Sequence, residues 1–507
     1  MAWLLLLVPL AGAAGLTALR GRPATLLVGS LTILAATLAV GMWAAVCEPS
    51  AQWTWGGGIV LGLAVEGLAR VMVVLVPAVA LPVVACAAAT MGRDPGLARL
   101  LALLSAFVAF MLLLVAASDL LSLLVGWELV GATSWALIAH DWRHPDRPGL
   151  AGQAFLTTRA GGLGLLAAAA VALGVAGGAD YAGLGSLRGW PAHVVGAGLL
   201  VAAAAKSAQL PFSPWLSSAM AGPTPVSALL HSATMVAAGA YALARTVPVL
   251  DGAFWLAGAV AVLGAATAVA GGVVASAQTD LKQALAASTS AQYGLVLVAV
   301  GAGSTAAAGA HLVTHAVFKS LLFLAAGVAL HTAGTLELSK LRLGRALPFT
   351  AAAFSAGALA LAAVPPLGAA RSKEEVLAAA AHQGAWLGAT VVVAAFLSAL
   401  YAGRLAVLAF GPGTAPSAAQ PGPDPVVRAA LGSLAAATVA LGVLWLPGAV
   451  AALGAATAVA GGIVATVHRD LKRALAASTS AQYGLVLVAV GAGSTAAAGA
   501  HLVTHAV

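Results

Sequence analysis

Long apolar stretches alternate with short polar connections from one end of the chain to the other. A helix needs about 20 apolar residues to cross the hydrocarbon core of a bilayer. Runs of that size predict spans near 1–19, 23–45, 59–91, 99–117, 119–139, 151–176, 192–219, 225–246, 252–276, 284–302, 306–333, 349–383, 385–409 and 427–446. The apolar positions are continuous rather than alternating, and each run is about twice as long as a barrel strand, so helices are expected and not a barrel. The opening stretch "MAWLLLLVPLAGAAGLTAL" has no basic start and reads as the first helix rather than a signal peptide.

Two runs are interrupted. "KSAQLPFSPW" puts Lys206 and Pro211 inside 192–219, and "AAVPPLGAARSKEEV" puts Pro365, Pro366 and Lys373 inside 349–383. Backbone groups freed by such breaks are tolerated in a membrane only where they face protein or a wet cavity. Two broken helices in separate parts of one chain match transporters built from inverted repeats. The expected fold class is an all-α polytopic membrane protein of about 14–16 transmembrane helices, with two inverted-repeat halves and two broken helices. The expected segments are N-terminal helices (1–98), a first half (99–246), a second half (252–409), a flexible loop (411–425) and a C-terminal helix (427–446).

Composition agrees. Of the 507 residues, 62% are hydrophobic and 7% charged, against about 25% charged in soluble proteins. Too little charge is present to cover a water-facing surface. "RGR" (20–22), "GRDPGLAR" (92–99), "DWRHPDR" (141–147), "TDLKQ" (279–283) and "SKLRLGR" (339–345) are basic and fall on one side of the predicted topology. The alternate connections carry almost no Lys or Arg. The positive-inside rule makes the basic side cytoplasmic and puts the N-terminus outside. The net charge of +8 belongs to these loops and points to anionic lipid, not nucleic acid.

Residues 255–317 recur at 445–507, and the stretch from Ala284 to Val317 is repeated without change from Ala474 to Val507. An old repeat would have drifted, so this near-copy reads as a recent duplication, a late-joined gene fragment or an assembly error. It stops just before a counterpart of Lys319.

Ionisable groups inside apolar helices are few, and each is a functional candidate because burial in lipid is costly. Glu128 in "GWELVG" has no neutralising neighbour within a turn and needs a partner on another helix, a bound proton, or an interfacial position. Lys206 reads equally as a snorkelling lysine at a helix end and as a proton-binding group whose proton affinity a nearby carboxylate would switch. Structural packing is the plainer reading of a lone His231. His311, His315 and Lys319 fall at i, i+4 and i+8 and make one polar stripe down a helix face. No H-E-x-x-H glutamate accompanies the histidines, so a proton wire fits the stripe better than zinc. Lys373, beside Glu374 and Glu375, reads either as part of a broken helix or as a loop. Asp280 and Lys282 open a helix on the basic side, where a topological charge cluster is the alternative. Arg159 and Arg245 read as anchors near span ends. Cys47 and Cys86 form no C-x-x-C pattern, and the glycine-rich "GAGSTA" follows a span rather than a strand, so no cofactor or metal site is expected.

"GWELVG", "KSAQLPFSPWLSSAMAGPTPVSALLHSATMVAAGAY", "DLKQALAASTSAQYG" and "HLVTHAVFKSLLFLAAG" resemble the antiporter-like, proton-pumping subunits of respiratory complex I, above all the L subunit, called subunit 5 in mitochondria. The resemblance covers most of residues 60–410. The large subunits of Mrp antiporters look similar, but usually read E-A-P-T-P-V-S where this chain has "AGPTPVS". The resemblance implies that Glu128 pairs with Lys206, that His231, Lys282, His311, His315 and Lys319 form a central hydrophilic axis, and that Lys373 is the exit lysine. It also implies partnership with the other membrane subunits of complex I in an inner cell membrane. NADH, FMN, iron–sulfur clusters and quinone are then handled by partner subunits, and protons by this one. The sequence departs from the family at Gly162, where an aspartate is usual, and at Arg371, where an aromatic is usual. The L subunit ends in a long amphipathic helix along its neighbours; after residue 446 this chain shows only the copied fragment, which reads either as impaired docking or as a missing true C-terminus.

Overall fold

The computed structural model describes residues 1–18, 23–56, 59–412 and 422–443, with isolated positions 478, 482 and 485. The basic loop at 20–22, most of the 411–425 loop and nearly all of the near-copy at 445–507 lie outside the described residues. The helices are α1 (Leu4–Ala18), α2 (Pro23–Cys47), α3 (Leu68–Thr90), α4 (Leu97–Ala116), α5 (Leu120–Ile138), α6 (Arg147–Ala176), α7 (Tyr181–Leu184), α8 (Trp190–Lys206) and α9 (Pro214–Ser218). They continue as α10 (Thr224–Leu230), α11 (Met235–Thr246), α12 (Leu256–Ala277), α13 (Leu281–Gly301), α14 (Thr305–Ala333), α15 (Pro348–Leu361), α16 (Gly368–Gln383), α17 (Ala385–Phe410) and α18 (Pro425–Val443). Among the described residues, eleven helical segments are long and apolar enough to cross a membrane, and α1, α8 and α15 are shorter apolar helices. The fold is an all-α polytopic membrane fold.

Both expected breaks are present. α8 ends at Lys206 and the chain resumes helix at α9. α15 ends at Leu361 and resumes at α16. A third break separates α10 from α11 at residues 231–234, inside the run expected to be one span at 225–246. No proline or glycine marks it. Ser232 and Thr234 hydroxyls bond to the carbonyls of Ala228 and Leu229, a local alternative to the helical ladder.

The run at 59–91 is not one helix. Its start forms β2 (Ile59–Ala64), paired antiparallel with β1 (Ser50–Gly56), and only α3 is helical. Aromatic and β-branched residues on both strands favour the pleat. The hairpin is pinned to the bundle through Gly62, whose amide donates to Asp119 Oδ2 (2.8 Å) and Ser122 Oγ (2.8 Å). Asp119 also caps α5 by accepting from the Ser122 amide (2.7 Å).

Among the described residues, basic connections meet at one end of the bundle. His140 Nε2 lies 2.8 Å from Asp94 Oδ2, joining the α3–α4 and α5–α6 connections. The Leu281 amide donates to Leu336 O (2.9 Å) and the Leu338 amide to Thr279 O (2.8 Å), joining α12–α13 to α14–α15. The other end is held by Arg245, which donates to Ala117 O (2.8 Å) and pairs with Glu66 (3.1 Å). Arg245 therefore ties three elements together and is more than a surface anchor.

Small residues let the helices approach. A Cβ on Gly294 of α13 would lie 2.6 Å from Gly264 O and from Ala268 N of α12, and one on Gly301 would lie 2.5 Å from Ala261 N. Such contacts suit lipid, where packing rather than water exclusion joins helices. Gly294→Leu is expected to cost about 1–3 kcal/mol by overpacking. Gly258→Ala, where nothing lies within 4 Å, is expected to be neutral or slightly stabilising. Thermal unfolding in lipid nanodiscs checks both; equal midpoints for the two variants would show that this approach does not matter.

Candidate functional site: a buried polar axis

The second and third helix breaks face the polar stripe of α14 inside the bundle, and the first break is tied to α11 and α13 beside it. His311, His315 and Lys319 are fully buried, as are His231 and Lys206, and Lys282 and Lys373 nearly so. None faces lipid. Snorkelling does not describe Lys206, whose ammonium is directed inward.

At the first break, Lys206 Nζ donates to Trp127 O of α5 (3.1 Å) and lies 4.8 Å from the centre of the Trp127 ring. The freed backbone is satisfied by protein. Trp215 Nε1 donates to Ala205 O (2.7 Å), Ser290 Oγ to Ala208 O (2.5 Å) and the Leu210 amide to Thr267 Oγ1 (3.2 Å). Ser207 Oγ donates to Val236 O (2.7 Å) and accepts from the Ala240 amide (2.9 Å), tying the break to α11.

Glu128 sits beside Lys206 along α5 but is ion-paired to Arg159 on α6. The expected Glu128–Lys206 pair is replaced by neighbours with different partners. Arg159 lies in the middle of α6, not near a span end as anticipated. The two side chains are 31% and 45% exposed, on the outer face of the bundle. Gly162 explains how α6 comes so close: a Cβ there would lie 3.3 Å from both Glu128 Oε1 and Trp127 Nε1.

The centre is built on α14. His311 Nδ1 is 2.9 Å from Ser372 Oγ of α16, and His311 Nε2 is 3.2 Å from Gln292 Oε1 of α13. Gln292 Nε2 in turn donates to Ser398 Oγ and Tyr401 OH of α17 (both 2.9 Å). His315 Nδ1 is 3.0 Å from Ser232 O in the third break, a carbonyl that also accepts from Tyr293 OH (2.9 Å). Lys319 Nζ donates to Ser288 Oγ of α13. Ser232 and Ser320 hydroxyls are 2.6 Å apart.

Both ends finish on lysines held by carbonyls. Lys373 Nζ donates to Leu361 O, the last residue of α15 (2.7 Å), so it bridges the second break from within a helix and not from a loop. Ser372 next to it joins His311. The acidic neighbours turn the other way: Glu374 and Glu375 pair with exposed Arg371. Lys282 Nζ donates to Met220 O (2.7 Å) and Gly222 O (2.6 Å), which rules out a mere surface charge cluster at that helix start. Asp280 is the α13 cap, accepting from the Gln283 amide (2.9 Å).

Several buried polar atoms on this line have no protein partner: both ring nitrogens of His231, His315 Nε2, Gln209 Oε1 and Trp127 Nε1. Buried groups of this kind are ordinarily completed by water. Imidazoles, amines and hydroxyls within hydrogen-bond reach of one another, directly or through water, can pass a proton from donor to acceptor. Among the described residues, no group of three or more His, Cys, Asp or Glu is arranged to hold a metal ion.

The sequence pointed to the ionisable members of this axis and missed their partners. Gln292, Ser232, Ser288, Ser372 and Tyr293 are polar residues in apolar helices, and helical spacing from the titratable groups was the available signal. Arg159 was visible as a mid-run charge in "LTTRAGG".

Comparisons with known proteins agree with this architecture. The family described as NADH:quinone oxidoreductase/Mrp antiporter, transmembrane, matches residues 117–398 and 429–507. The chain is 34% identical over 440 residues to NADH-quinone oxidoreductase subunit L of Mycobacterium tuberculosis, covering 80% of this chain and 69% of that one. It is 38% identical over 320 residues to NADH-ubiquinone oxidoreductase chain 5 of Balaenoptera physalus, covering 62% of this chain and 53% of that one. Among solved structures, a chain of the Mrp complex from a Dietzia species superposes with a TM-score of 0.79 at 31% identity, covering 96% of this chain and 56% of that one. The chain thus spans between about half and about two thirds of the length of these relatives. By the extent of the family match, which includes every residue of the axis from Glu128 to Lys373, this chain belongs to the NADH:quinone oxidoreductase/Mrp antiporter transmembrane family.

Proposed function

We propose that this chain is a proton-translocating membrane subunit of an NADH–quinone oxidoreductase. The observation that supports this reading most directly is the line of buried amines, imidazoles and hydroxyls running from Lys206 to Lys373 through two broken helices. Relatives named as subunit L and chain 5 of that oxidoreductase add weight. In this reading the redox chemistry of NADH, FMN, iron–sulfur clusters and quinone takes place in partner subunits. The partners are the other membrane subunits, the membrane is the inner cell membrane, and the basic end faces the cytoplasm with the N-terminus outside.

The residues divide the work by their contacts. Glu128 exerts an attraction on Lys206 that Arg159 weakens by holding the carboxylate. A shift of Glu128 from Arg159 towards Lys206 stabilises the ammonium, and return to Arg159 releases its proton. The released proton passes to the centre. His231 lies in the third break next to Ser232, whose carbonyl meets His315, and Lys282 supplies protons from the basic end. His311 and Lys319, on Gln292 and Ser288, carry charge along α14. Ser372 links His311 to Lys373, and the second break around Pro365 and Pro366 gives Lys373 its way out. The first break at Pro211 does the same for Lys206. No covalent chemistry is needed; each step moves one proton between neighbouring lone pairs.

A second reading is a monovalent cation/proton antiporter subunit of the Mrp kind. The structural likeness to the Mrp complex favours it. The two readings differ in what drives transport and in whether sodium moves. For the first, inverted vesicles carrying the assembled complex acidify on NADH addition, and replacing sodium with choline leaves the rate unchanged. Proton efflux from vesicles with a preset acidic lumen, driven by added sodium without NADH, supports the second reading and contradicts the first.

Lys206→Ala in that complex is expected to slow proton translocation at least about tenfold, the scale of losing a proton-transfer group. Unchanged pumping removes Lys206 from the path. Ser288→Ala takes away the Lys319 acceptor and is expected to give a smaller loss with quinone reduction retained. Parallel assays of NADH oxidation and vesicle acidification separate that effect from failed assembly.

A further inference from the structure

A cavity of about 550 Å³ opens at the basic end of the bundle, with Lys282 in its wall. Its rim is formed by connections rather than spans: Asp94 before α4, His140 and Asp141 after α5, and Asp280 before α13. His140 is the unusual member. Its side chain is only 2% exposed although it sits at a membrane-end connection. One ring nitrogen, Nε2, is 2.8 Å from Asp94 Oδ2, and the other, Nδ1, is buried with no protein partner. Asp94 Oδ1 accepts from the Gly96 amide (2.7 Å), and Arg99 donates to His140 O (2.9 Å), so backbone and ring are both held in place.

Burial alone would raise the Asp94 carboxyl. The His140 hydrogen bond, the Gly96 amide and the nearby Arg99 charge outweigh it, and hold the carboxyl below its usual range. Asp94 is therefore an anion at neutral pH. An anionic acceptor fixes the proton of a neutral imidazole on Nε2 and leaves Nδ1 as a bare lone pair. A buried lone pair beside a roomy cavity whose rim carries Asp94, Asp141 and Asp280 is satisfied by cavity water.

We propose that the His140–Asp94 pair is a proton-collecting relay for a water-filled vestibule whose inner acceptor is Lys282. This rests on the proton-translocating reading above and adds the point of uptake. Nδ1 takes a proton delivered through vestibule water and returns it to water leading to the Lys282 amine. One proton moves and no other bond changes. The other charged groups around the vestibule are balanced. Arg147 pairs with Asp141 (3.3 Å), and Asp280 caps α13. Arg143 lies with Asp94 and His140 on the outer side, while His331 and Cys86 lie on the inner wall.

The test has two arms in the assembled complex. In a chain with Cys47→Ser and Cys86→Ser, Thr90→Cys in the vestibule wall should react with a charged, water-soluble thiol reagent, while Ala237→Cys in the packed core should not. In the second arm, His140→Gln should slow NADH-driven translocation about tenfold at about pH 8.5, where protons are scarce, and little at about pH 6. His140→Ala should regain rate when millimolar imidazole is added, since the cavity admits it. Silence at Thr90→Cys, or a pH-independent loss that imidazole does not restore, or no loss at all, overturns the relay. A wild-type complex that translocates no protons overturns the proposed function itself and the relay with it, whereas a pumping complex that fails these arms overturns the relay alone.

Discussion

An ammonium or imidazole carried into a hydrocarbon-embedded bundle must find its hydrogen-bond partners in protein or trapped water, because lipid offers none. Three lysines of the axis meet this demand in a common way, by donating to backbone carbonyls, and Lys319 donates to the Ser288 hydroxyl. Lys373 uses Leu361 O at the end of α15, and Lys282 uses Met220 O and Gly222 O at the end of a short turn. Lys206 uses Trp127 O, a mid-helix carbonyl with a second lone pair to spare. Neutral acceptors hold an amine in either protonation state. A permanent carboxylate partner would fix the charge.

That choice connects the helix breaks to function. A continuous helix consumes its carbonyls in its own ladder, so polar sites in the middle of a bundle require interruptions. The break at 231–234 presents Ser232 O to both His315 and Tyr293. The break after α8 is closed by Ser290, Thr267 and Trp215 from surrounding elements. Those closures hold the break open at little cost and place α13, the donor of Ser288 and Gln292, against α14. Glu128 is the exception. Its charge is committed to Arg159 on a part-exposed face, where a glycine at 162 leaves room that a side chain would fill. The departure at Gly162 thus bears on how Arg159 is used, since no carboxylate at that position competes for it.

Much of the fold was legible because membrane helices announce themselves by length and continuity. The grouping of the basic loops followed from charge alone, and hydrogen bonds now join 94 to 140 and 279 to 338 across them. The two proline-marked breaks were readable for the same reason that proline breaks helices. The break at His231 was not, since it is made by serine and threonine hydroxyls competing with the ladder, a pattern common in intact helices. The strand at Ile59–Ala64 was absorbed into an apolar run, because hydropathy does not distinguish a buried strand from the start of a span. Site residues with charge stood out against an apolar background. Gln292, Ser288, Ser372 and His140 did not, because their importance comes from what they touch.

High-resolution density for the assembled complex in lipid tests the connected axis most directly. Ordered water within hydrogen-bond distance of His231, His315 Nε2, Gln209 Oε1 and Trp127 Nε1, linking Lys206 to Lys373 without a dry gap, is the result expected here. Those same atoms packed against apolar side chains, with no water between the α8 break and the α16 break, would contradict it.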